Sequence, residues 1–103
     1  MNKEIIKRIE SNHKLINFCN KIISYNVILE NETTRNMFFA SLISADCLID
    51  INSCNETIET ANFILNNINL FELEDSIKQD TIKYCNNAID IANRDKKTFL
   101  NIN

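Results

Sequence analysis

Neither glycine nor proline occurs anywhere in the 103 residues. This double absence limits the fold more than any motif does. Without glycine there is no phosphate-cradling loop, no dinucleotide fingerprint and no nucleophile elbow. Tight β-hairpin turns lose their usual residues as well. Only Asn, Ser, Asp and Thr are left to interrupt helices, so the chain is read as all-α.

The apolar residues agree, recurring with a helical period nearly throughout. Four helices are predicted, at about 2–27, 33–51, 54–68 and 73–99. In the first, Ile5, Ile9, Ile16 and Ile23 share a face taken as the core face, with Lys3, Lys7, Lys14 and Lys21 opposite. Asn31 or Thr33 caps the second. Ser53 and Glu56 have the S-x-x-E spacing of a capping box for the third. Glu72, Glu74 and Asp75 suit the positive end of the fourth, whose inward residues are Leu73, Ile77, Tyr84, Ala88 and Ile91. The inward residues of the third are Ile58, Ala61, Leu65 and Ile68. Short connections favour antiparallel neighbours. The expected architecture is one helical domain over 1–103, an antiparallel up-down four-helix bundle, with two stacked helical hairpins as the alternative.

The stretch FFASLISADCLIDI (38–51) carries more apolar surface than one core-facing side needs. On a wheel of about 100° per residue, Phe38, Leu42, Ala45 and Ile49 form the core side. Ala40, Ser44 and Cys47 form a small-residue side that admits a close neighbour. Glu32, Phe39, Ile43, Asp46 and Asp50 fill a third sector, where apolar side chains sit among carboxylates. The third helix repeats this pattern, with Phe63 near Glu56 and Glu59. These eight residues are the predicted partner-binding surface, with Phe39, Ile43 and Phe63 as its anchors.

Charge is distributed unevenly. Residues 1–26 carry five Lys/Arg and two Glu, net +3; residues 27–77 carry one Arg and nine Asp/Glu, net −8; the remainder is +2. Helices two and three thus form an acidic flank suited to steering a basic protein surface. A sequence pI near 5.1 argues against direct nucleic-acid binding. No run of 18 apolar residues is present for a membrane span, and the charged N-terminus lacks a signal-peptide core. A cytoplasmic protein is expected.

Cys19, Cys47, Cys54 and Cys85 form no C-x-x-C pair and are read as small hydrophobes in a reducing compartment, with no metal and no cofactor. Glu10 and His13 show the E-x-x-H spacing of di-iron bundles once, with no second histidine to complete a site. His13-Lys14-Leu15 faintly resembles a histidine phosphotransfer site but lacks the small residues expected after it. Arg8-Ile-Glu-Ser-Asn-His13 resembles the R-x4-H motif of the all-helical HEPN-type ribonucleases over six residues, which implies RNA cleavage by Arg8 and His13. Ile9 stands where that family has a polar residue, and the motif lies at the start of the chain. Five residues along a straight helix also leave the two side chains about 140° apart.

The expectation is therefore a small non-enzymatic helical module that binds a protein. It would mask the basic surface of a target such as a nuclease or defence effector, as small acidic immunity proteins and phage-encoded inhibitors do. The comparison is one of size and charge. The alternative is a homo-oligomeric structural protein, a homodimer in the simplest case.

Overall fold

The computed structural model describes residues 2–102, among which there are four α-helices and no strand. These are α1 (Lys3–Glu30), α2 (Glu32–Leu42), α3 (Ile51–Asn66) and α4 (Asp75–Ile102), with a 3-10 turn at Ile68–Leu70. The chain is all-α, as its lack of glycine and proline predicts, and its helices pack in the manner of a bundle built from hairpins.

The most extensive helix pair is α3 with α4. Cys54, Thr57, Ala61 and Ile64 are the buried positions of α3, and Thr81, Cys85, Ala88 and Ala92 those of α4. Their spacings of three and four residues place each set on one helical face. Most are small, so the two axes approach closely without glycine. Early α3 meets late α4, with Cys54 and Ala92 in one cluster and Ala61, Ile64, Cys85 and Ala88 in another, which makes the pair antiparallel. The predicted inward face of α4 is displaced by part of a turn: Ala88 is buried, while Tyr84, Ile77 and Ile91 are half-buried at its edges.

A single residue, Asn31, separates α1 from α2. Its side chain accepts from the Thr34 amide at 3.2 Å, capping α2 as expected of asparagine. The carbonyls at the end of α1 are satisfied from the other side of the bend. Thr34 Oγ1 donates to the Ile28 carbonyl at 2.6 Å, and the buried Arg35 guanidinium donates to the Leu29 carbonyl at 2.7 Å. No basic residue lies in the last turn of α1, so Arg35 supplies the positive charge that a helix C-terminus favours.

Helix α2 is shorter than its apolar pattern predicts. It ends at Leu42, and residues 43–50 form turns leading to α3. Serine chemistry explains the stop. Ser41 Oγ donates to the Phe38 carbonyl at 2.8 Å and Ser44 Oγ to the Ser41 carbonyl at 3.1 Å, competing with the helical ladder. Thr57 Oγ1 then donates to the Leu42 carbonyl at 3.1 Å, so α3 itself closes the end of α2. Residues 52–53, left between the predicted second and third helices, lie inside α3. Asp50 is the N-cap, with Ser53 as its reciprocal partner, in place of the predicted Ser53–Glu56 box. Ser53 Oγ also accepts from the Ile49 and Asp50 amides at 3.0 Å, which pulls the helix start upstream.

Helix α1 departs furthest from expectation. Its buried side is Leu29, flanked by half-buried Ile22 and Tyr25. Ile5, Ile9, Ile16 and Ile23, predicted as the core face, are all exposed. Every residue from Lys3 to Lys21 is exposed, so the first half of α1 projects beyond the body. The Cα radius of gyration is accordingly 16.6 Å, against roughly 13 Å for a compact chain of this length.

Candidate functional site

The predicted partner-binding residues do not form one surface. Phe39 is only 3 % exposed and belongs to the main core. Its ring stacks on Tyr84 at 5.1 Å and meets Phe38 edge-on at 5.2 Å. It cannot anchor a partner in this fold. Helix α4 crosses the side of α2 that the apolar pattern leaves spare; the Tyr84 hydroxyl donates to Asn36 Oδ1 at 2.9 Å on that side. Ile43 is half-buried and packs against the same core, at the edge of a 160 Å³ pocket with Asn36, Ala40 and Tyr84.

Phe63 is half-buried beneath α1. Phe18 meets it at 6.0 Å, Tyr25 at 5.7 Å, and Lys21 Nζ sits 4.1 Å above its ring as a cation–π contact. The aromatic that looked like an external anchor is an internal one, covered by the chain's own basic helix.

The carboxylates remain outside. Glu32, Asp46, Asp50, Glu56 and Glu59 are all exposed. Asp50 is committed to capping, its carboxylate accepting from the Ser53 amide at 2.8 Å. Among the described residues the ion pairs are Arg35–Asp80 at 3.8 Å and Arg94–Asp95 at 3.3 Å. Neither uses any of the nine acidic residues between 27 and 77, so the acidic flank is free of internal partners of that kind.

A second surface was not anticipated as such. On α1 the inward residues Phe18, Ile22, Tyr25 and Leu29 centre near one direction. Ile5, Ile9, Ile16, Ile23 and Val27 all fall within about 40° of one another on nearly the opposite side. They are 46–61 % exposed. This stripe carries no charged side chain; Asn12, His13, Cys19 and Asn20 border it. It continues at Ile23 and Val27 into an apolar groove closed by Leu70, which is itself exposed. Asn26 holds that end in place, its Oδ1 accepting from the Glu72 amide at 2.6 Å. The available signal was length. Helix α1 has 28 residues and α2, its main neighbour, has 11; α4, also of 28, meets α1 only briefly, so part of the apolar surface of α1 is left uncovered.

The remaining candidates are separated. Arg8 and His13 are exposed on the projecting half of α1, which is one continuous helix, and so stay on different sides of it. The cysteines are all free thiols. Cys54 and Cys85 are buried, and burial pushes both thiols upward, Cys85 to about 12. Asp95 and Asp50 add to the effect at Cys54. Tyr25 is raised as well, chiefly by burial. Among the described residues no three His, Cys, Asp or Glu side chains are placed to hold a metal ion. Nor is any of their helices long and apolar enough to cross a membrane.

Comparison with protein-family profiles, with curated proteins and with solved structures finds no match to this chain.

Proposed function

We propose that the protein is a non-catalytic binding module whose acidic flank covers a basic surface of a protein target. The observation that carries this reading is the set of exposed carboxylates on α2, α3 and the segment between them, none engaged in an ion pair among the described residues. Glu32, Asp46, Glu56 and Glu59 are the contact residues; Asp50 adds charge while serving the fold. With Phe39 in the core and Phe63 under α1, neither predicted aromatic anchors this flank, whose exposed large apolar side chains, Met37 and Ile49, are outnumbered by its carboxylates. Binding is therefore led by charge: fast in association and steeply weakened by salt. A cytoplasmic setting suits the four free thiols.

The test is affinity capture from the source cells with wild-type protein and with Glu56→Lys/Glu59→Lys, both substitutions being at exposed positions. A protein retained by wild type, released by moderate salt and lost with the variant is the expected result. Equal retention by both proteins would remove the acidic flank from consideration.

A further inference from the structure

We infer that the outward face of α1 pairs with the same face of a second copy of this chain, the two helices running antiparallel with Ile16 at the two-fold axis. The spacing of the stripe carries the argument. Ile5, Ile9, Ile16, Ile23 and Val27 are separated by four, seven, seven and four residues. The pattern is a palindrome about Ile16. An antiparallel partner therefore sets Ile9 against the second copy's Ile23, and Ile5 against its Val27. Asn12 and Asn20 obey the same symmetry and fall at equal heights. A self-complementary patch is what a two-fold interface requires. The two seven-residue steps also match the repeat along which helices wind around each other.

Area and charge support the same occupant. The five stripe residues expose roughly 500 Å², and Ile6 and Leu70 at its edges raise this to roughly 650 Å², toward the ~800 Å² each side of a stable interface buries. The largest apolar patch on an ordinary monomer is smaller, roughly 300–600 Å². A charge-free stripe has nothing with which to select a charged partner, and it costs nothing in repulsion when laid on itself. The antiparallel direction follows from the ends. It brings Arg8, on one flank of the stripe, toward Glu30 on the same flank at the other end of the second copy's α1, while Lys3 and Lys7 lie on the far side of the helix. A parallel pair would instead set Arg8 level with the second copy's Arg8. Pairing also explains a helix that projects with every residue from Lys3 to Lys21 exposed, since an isolated helix of such length is marginal in water.

Sedimentation across the accessible concentration range should give twice the 12.0 kDa chain mass. Ile16→Glu should halve it, while Leu100→Glu, an exposed apolar position outside the stripe, should leave the dimer intact. Direction is read by disulfide trapping in a Cys19→Ser/Cys47→Ser background, which leaves only the buried thiols. Ile9→Cys and Ile23→Cys chains should cross-link when mixed and oxidised, and each should stay uncross-linked alone. Self-linking of each variant overturns the antiparallel arrangement. A wild-type monomer at all concentrations, or a dimer that survives Ile16→Glu, overturns the interface. Neither result bears on the acidic flank, which Glu56→Lys/Glu59→Lys tests separately.

Discussion

Arg35→Met should cost about 2 kcal/mol of stability, because it removes the donor that closes the end of α1. The guanidinium is 5 % exposed and donates to the Leu29 carbonyl at 2.7 Å. Leu29 is fully buried, so methionine leaves that carbonyl without a donor. A hydrogen bond from a charged group is worth roughly 1.5–3 kcal/mol, and the favourable charge at a helix C-terminus adds roughly 0.3–1 kcal/mol. Two terms work the other way. Arg35 Nε is buried without a hydrogen-bond partner among the described residues, and methionine relieves both that orphan and the desolvation of the charge. Asp80 offsets little of this desolvation: its carboxylate is 57 % exposed at 3.8 Å, so Asp80→Asn should cost at most about 0.5 kcal/mol. Urea unfolding of wild type, both single variants and the double variant, followed by far-UV circular dichroism, separates the two contacts. The double variant should lose little more than Arg35→Met alone. If Asp80→Asn costs as much as Arg35→Met, the ion pair and not the capped carbonyl holds the bend, and the reasoning is wrong.

Four further outcomes are expected. Phe39→Ala should destabilise by about 3–5 kcal/mol in the same urea assay, as a buried core aromatic does, whereas a surface anchor would cost almost nothing. Ser53→Ala should lose about 1 kcal/mol through the capping box and Glu56→Ala less than about 0.5 kcal/mol; the reverse order would restore the cap read from sequence. For the thiols, Cys19 should react first with a thiol reagent, Cys47 more slowly, and Cys54 and Cys85 only on unfolding. Because Cys85 is raised from 9.0 to about 12 in the folded state, its contribution to stability is complete below pH 9 and declines as pH rises toward 12. A Cys85→Ala variant should lose stability less steeply across that window; an unchanged slope would assign the alkaline loss to other groups.

The helical class was legible because every turn-forming alternative to Asn, Ser, Asp and Thr is missing, and the four helices were found in order. What could not be read was which of two apolar stripes on one helix turns inward. On α1 the isoleucine stripe is longer and more regular than Phe18, Ile22, Tyr25 and Leu29, so periodicity alone selects the wrong one. The decision belongs to packing, since the rings of Phe18 and Tyr25 reach Phe63 and the shorter side chains of the isoleucine stripe would not. The end of α2 was lost for a related reason. Apolar residues continue past Leu42 because Leu48 is buried from a turn, and hydrophobicity does not distinguish a turn residue that reaches the core from a helical one. On the candidate surface the carboxylates stayed exposed as predicted, because ionised groups without partners must. The aromatics did not, since each of them found cover within the chain.

Phe63 has one more consequence. Phe18, Lys21 and Tyr25, spread over two turns of α1, all bear on this one ring, which makes it a fulcrum. Beyond Phe18 the helix runs roughly 22 Å to Lys3 as a lever. A tilt of about 10° on the ring would swing the tip through roughly 4 Å, nearly a helical turn. The bearing of the projecting arm is thus sensitive to one aromatic side chain of another helix, far from the arm's own tip.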